Sequence, residues 1–137
     1  MKSLKWWMRI VGSFYILLFI MASILQIPPK AILSGEGIEF QNTNFAHQLL
    51  VDTWVMFGLE LGVIGVALWF ASRNPIQHRF FVKVVIGLEI VRGIIDDIYM
   101  LIRGYDPVFY IGWIVVHTII IVWALIGLRQ TKDQSMT

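Results

Sequence analysis

Cysteine is missing from all 137 residues, which removes disulfides, thiolate catalysis and cysteine-held metals together. Charge is scarce too: Asp, Glu, Lys and Arg make up 15% of the chain, against about 25% in an ordinary soluble domain. No segment alternates with period two, which excludes the strands of a membrane barrel. Nucleophile elbows, phosphate-binding loops and dinucleotide fingerprints are absent. The Glu-x-x-His pairs of di-iron bundles are absent as well, and a single histidine in an apolar span does not make a zinc site. The sequence therefore calls for no metal and no cofactor.

What remains is apolar. Hydrophobic residues account for 58% of the chain, and the mean hydropathy is +0.74. Four windows, residues 6–27, 49–71, 80–102 and 109–128, are long enough to cross a hydrocarbon core, which takes about 20 helical residues. Helix is the spanning form left once barrels are excluded. The expectation is an all-α integral membrane four-helix bundle, a single transmembrane domain over residues 1–137, with the lipid bilayer as its first partner.

Lys2, Lys5, Arg9, Arg73, Arg79, Lys83, Arg129 and Lys132 fall at termini and turns that share one side of a four-span arrangement, and Lys30 and Arg103 fall on the other. Positive residues mark the cytoplasmic side, so both termini are expected inside. The net charge of +2 and the pI near 9.1 then report topology, and no nucleic-acid footprint is implied. The first window exceeds the usual apolar core of a secretory signal and lacks a clean cleavage pattern, so it is expected to be retained. Trp6, Trp7, Tyr105, Tyr110 and Trp123 are placed near the membrane interfaces, where amphipathic rings collect.

Residues 72–79, with Asn74-Pro75, read as one tight turn, and residues 104–107 as another, since Pro107 bars helix continuation. The stretch 28–46 is the one long connector. Its Ile32, Leu33, Ile38, Phe40 and Phe45 suit the outer membrane surface or a lid over an outward-opening pocket. Gly58-x-x-x-Gly62, extended by Gly65, permits close helix approach, either to a neighbour in the same chain or to a second copy in a homo-oligomer.

The third window is the unusual one. Glu89, Arg92, Asp96 and Asp97 lie within an apolar stretch, where each ionised group costs roughly 2.5–3.5 kcal/mol near the bilayer centre. At 100° per residue and with Glu89 at zero, Arg92, Asp96, Tyr99 and Arg103 fall at about 300°, 340°, 280° and 320°. That is one stripe, on which Arg92 is clamped by two carboxylates at i, i+3 and i, i+4 spacing. Asp97 falls about 80° from Glu89 and is expected to face a different neighbour. Counting inward at about 1.5 Å per residue, Glu60 is level with Glu89, and His117 is level with about position 94. Asp52 sits further out, near Asp97. Asp52, Met56 and Glu60 share one face of their helix, and Tyr110, Trp113 and His117 share one face of theirs.

These faces are expected to converge as a binding pocket of Asp52, Glu60, Glu89, Arg92, Asp96, Asp97 and His117, walled by Tyr99, Tyr110 and Trp113, with Ser13 or Tyr15 closing it. Five carboxylates with one guanidinium cannot all stay ionised there, so some carry a proton unless a cation binds. Three functions fit. The first is a membrane binding or transport-accessory protein for a cation, a proton or a small amphipathic or aromatic molecule. The second is an intramembrane acid–base enzyme on a lipid-soluble substrate, with Glu60, Glu89 and His117 as its candidate groups. The third is a structural subunit of a membrane complex, in which the charges only fix helix register. The absence of a catalytic motif weighs against the enzyme.

Three further segments carry a resemblance. Lys5-Trp6-Trp7-Met8-Arg9 leading into Val11-Gly12, Val51-Asp52-Thr53-Trp54 followed by Phe57-Gly58-Leu59-Glu60, and the third window with Asp96 resemble the BphX-like family of small four-span bacterial membrane proteins. The likeness covers nearly the whole chain, and a looser one extends to DoxX-like four-helix membrane proteins. It implies a multi-pass protein of the bacterial inner membrane and a setting among gene clusters for aromatic-compound breakdown. It carries over no catalytic residues.

Overall fold

The computed structural model describes residues 2–27 and 45–133, and every regular element among them is helical. Helix α1 (Lys2–Phe19) runs on into a π-helical turn, Ile20–Ile24. Helix α2 is Phe45–Ala71. Helix α3 (Arg79–Leu88) continues through a second π-helical turn, Glu89–Ile95, into α4 (Asp96–Ile102), and α5 is Pro107–Asp133.

Three stretches are long and apolar enough to cross a membrane: Lys2–Ile24, Gln48–Ala71 and Pro107–Thr131. The fourth, 79–102, is helical along its length, but Lys83, Glu89, Arg92, Asp96 and Asp97 make it too charged to qualify on composition. Large apolar side chains lie on the outside of the helices; Val63 is 71% exposed, Met56 64% and Phe70 60%. Helices apolar all round are stable where the surroundings are themselves apolar, as in a bilayer. Most of the long connector read as residues 28–46, with its lid reading, lies outside the described residues.

The chain divides into two compact units. One, Ile10–Phe70, pairs the rest of α1 with α2. A Cβ on Gly58 would sit 2.9 Å from the Ala22 Cβ, one on Gly62 3.2 Å from the Phe19 Cβ, and one on Gly65 2.9 Å from Ile16 Cγ1. The small stripe is thus occupied by α1 of the same chain, and two side chains tie the pair. Ser23 Oγ donates to the Val55 carbonyl at 2.8 Å, and the Trp69 indole donates to Ser13 Oγ at 3.1 Å.

The other unit joins the start of α1, up to Arg9, with everything from Ala71 onward. Trp7 is fully buried and its indole donates to the Ile120 carbonyl at 2.9 Å, so it anchors α1 on α5. Leu4 packs on Gly127. The Trp123 indole reaches Ser3 Oγ at 3.3 Å, Arg9 reaches Ser72 Oγ at 3.4 Å, and Arg79 donates to the Thr131 carbonyl. These contacts draw the basic start of α1, the 72–79 turn and the end of α5 to one end of this unit.

The turn between α4 and α5 is held at both sides. Gly104, at φ +86°, ends α4 in a left-handed conformation that suits glycine. Its N–H bonds to the Leu101 carbonyl at 3.0 Å and the Tyr105 N–H to the Met100 carbonyl at 3.2 Å, the paired closure of a Schellman motif. Asp106 caps α5 by accepting from the Val108 N–H at 2.9 Å, with Pro107 in the first-turn position that needs no donor.

Two glycines should therefore respond oppositely to alanine. Gly104→Ala is expected to destabilise by about 1–2 kcal/mol, the cost of a left-handed backbone for an L side chain. Gly112→Ala, in α5 with open space around it, is expected to stabilise by up to about 1 kcal/mol through helix propensity. Denaturant unfolding in detergent micelles reads both.

Candidate functional site

The site lies where the π turn of the third helical stretch meets α5. A π turn carries one residue more than the α-helix it interrupts, closing i→i+5 bonds, and so sets back everything after it by about 100°. Asp97, about 80° from Glu89 on an ideal helix, is returned by that setback to within about 20° of it. Glu89, Gly93 and Asp97 consequently follow one another along a single buried face. Glu89 is 4% exposed and Asp97 7%.

His117 of α5 enters between them. Its Nδ1 lies 2.5 Å from Glu89 Oε2, a direct hydrogen-bond contact between the ring and the carboxyl group. Its Nε2 lies 3.7 Å from Asp97 Oδ2, beyond hydrogen-bonding distance. Asp97 Oδ2 is buried and has no hydrogen-bond partner among the described residues. The imidazole rests directly on Gly93: a Cβ there would fall 2.5 Å from Nδ1 and 2.7 Å from Cδ2. A glycine is needed at that position because the ring occupies the space a side chain would take.

The same phase shift moves the rest of the expected stripe off the buried face. Arg92, Asp96 and Arg103 are exposed, and Tyr99 is 56% exposed, so the stripe drawn on an ideal helix is not the buried one. The buried carboxylate partnered by imidazole is Glu89, with Asp97 as its companion. Asp52 and Glu60 are exposed on α2, in the other unit. Ser13 is engaged by Trp69, and Tyr15 is buried in that unit. Trp113 lies where the shared face of α5 places it, its ring 5.9 Å from that of His117. Phe109 follows at 6.3 Å from Trp113, and Tyr110 lies 6.0 Å from Tyr105. An aromatic row thus runs from the α4–α5 turn to the imidazole.

Sequence reasoning missed Gly93. Its signal was the equal spacing of Glu89, Gly93 and Asp97, four residues apart each time, which puts the smallest residue between two acids. Among the described residues no cluster of His, Asp or Glu is arranged to hold a metal ion. Chemically the array can hold a proton or a positive charge between two acids, and it can orient an imidazole as acid or base.

A model of BphX-like proteins matches residues 1–133. Among curated proteins, a BphX-like protein of Burkholderia cepacia and another of Paraburkholderia xenovorans (strain LB400), both described as uncharacterised, are each 32% identical over 143 residues. The alignment covers 99% of this chain and 98% of each relative. No solved structure matches.

A double-mutant cycle between Glu89→Gln and His117→Gln is expected to give a coupling free energy of about 0.5–3 kcal/mol, as for residues in one hydrogen-bonded network. Unfolding of the two single variants and the double variant measures it, and strictly additive losses would mean the contact contributes nothing.

Proposed function

The chain belongs to the BphX-like family, and from that premise we propose a four-span membrane protein, both termini cytoplasmic, whose intramembrane polar centre binds a small cationic species. The species is a proton, another small cation or a protonated amphipathic or aromatic molecule. The observation that carries this reading is the 2.5 Å contact between buried Glu89 and His117. Acids and histidines inside membrane segments are costly and mark ion, proton or substrate pathways. π turns within α-helices also gather at functional sites. The fourth span is supported by the helix itself: it is helical over 79–102, and two of its charged groups, Glu89 and Asp97, are buried against α5. Orientation is supported by the gathering of Lys2, Lys5, Arg9, Arg73, Arg79 and Arg129 in segments tied together at one end of their unit.

A second reading is favoured by the same contact. A carboxylate that orients an imidazole is also the working pair of an acid–base enzyme, here acting on a lipid-soluble substrate. Product formation from sterols, quinones or membrane lipids, followed by mass spectrometry and lost in His117→Gln, would decide for it.

Two outcomes test the first reading. Because the chain has no cysteine, single introduced cysteines report topology on a clean background. Ser3→Cys, Asn74→Cys and Gln130→Cys should react with impermeant maleimide only from the cytoplasmic side and Tyr105→Cys only from outside. Labelling of Asn74→Cys and Tyr105→Cys from the same side would remove the fourth span. In vesicles, tetraphenylphosphonium binding is expected to fall at least tenfold in Glu89→Gln if the centre takes organic cations, and to be absent from the start if it takes only protons.

A further inference from the structure

We propose that the Glu89–His117–Asp97 array is a proton relay, in which the imidazole passes a proton between the two acids. This rests on reading the centre as a site for a cationic species, and it names that species as the proton. Three observations carry it. The ring is hydrogen-bonded on one side only, to Glu89 at 2.5 Å. On its other side is an acid oxygen that is buried, unpartnered among the described residues and aimed at the free ring nitrogen from 3.7 Å. The side chain of that acid, Asp97, is nine-tenths buried, and that of His117 is 19% exposed, so bulk water is a poor competitor for either position. A shift of about 1 Å brings Nε2 and Oδ2 into hydrogen-bonding range. A carboxyl oxygen buried without a hydrogen bond costs free energy that a purely structural cluster would have no reason to retain.

The step balances without any further reactant. Asp97, as the acid, gives its proton to His117 Nε2, breaking an O–H and forming an N–H bond. The Nδ1–H bond breaks in turn and its proton passes to Glu89 Oε2. Asp97 is left as carboxylate, Glu89 as carboxylic acid, and the imidazole as its other neutral tautomer. Rotation or proton exchange at the ring resets it, and the reverse sequence moves the proton the other way. Gly93 is the positioning residue, because the ring sits and moves in the space its missing side chain leaves. The ionisable groups facing the ring are Glu89 and Asp97 from the third helical stretch; Trp113 is its aromatic neighbour on α5.

The test uses the full chain in lipid vesicles containing pyranine, with an imposed potential driving protons inward. Wild type is expected to acidify the lumen, more slowly in D₂O than in H₂O. His117→Gln and Asp97→Asn, which keep size and hydrogen bonding but break the proton path, are expected to be slower by roughly 100-fold, the scale of a lost acid–base group. Gly93→Ala retains every ionisable group and should also slow transfer by displacing the ring. Histidine ¹⁵N spectra of the same samples supply a readout independent of flux. Asp97→Asn should leave the His117 proton on Nδ1, where Glu89 accepts it. Flux equal to wild type in Asp97→Asn, or a His117 proton on Nε2 in that variant, overturns the relay. If tetraphenylphosphonium binding nevertheless depends on Glu89 in these vesicles, the centre still binds a cationic species and only the relay falls. If neither binding nor flux depends on Glu89, both fall.

Discussion

One imidazole resting on one glycine sets the geometry of the charged half of this protein. His117 can approach Glu89 only because Gly93 offers no side chain, and Asp97 can join them only because the intervening turn is π-helical. On an uninterrupted α-helix the acids would diverge by about 80° and one of them would face elsewhere. The energetic reason for tolerating an under-wound turn is the gain at the ring. Two carboxylates and an imidazole are placed within reach of each other, where burial would otherwise penalise each of them singly.

The rest of the unit supports that placement through contacts that are mostly neutral. Trp7 bonds to the Ile120 carbonyl three residues beyond His117, and Leu4 packs further along on Gly127, so α1 braces the face of α5 that carries the ring. A buried indole N–H needs an acceptor, and a helix carbonyl with a spare lone pair provides one. In the second unit the apolar logic is simpler. Small residues let α1 and α2 approach closely, and hydroxyls of Ser23 and Ser13 find partners across the gap. Small-residue faces of this kind bring helix backbones close together.

Much of the fold was legible because its signals are long-range averages. Runs of some twenty apolar residues, Pro107 at a helix start and an Asn-Pro turn survive errors of a residue or two, and the helices fall close to the windows read from them. The depth count also placed His117 level with about position 94, and its ring lies on Gly93. The angular assignment was more fragile, since 100° per residue accumulates any local change in winding. A single wider turn therefore exchanged Asp97 for Arg92 and Asp96 on the buried face. Nothing in the composition of Glu89–Ile95 announces such a turn. The burial of Trp7 was hidden for a different reason: an indole at the edge of an apolar window does not by itself say which helix it packs on, and only the position of Ile120 does.

The hairpin between Asp97 and His117 adds a mechanical constraint. With a left-handed glycine stop on one side and an aspartate-capped proline start on the other, the link has little slack to let one strut slide along the other. The two rods should travel as one body when their surroundings deform, so the spacing at their shared centre is insulated from such strain. What freedom is left there belongs to the five-membered ring alone.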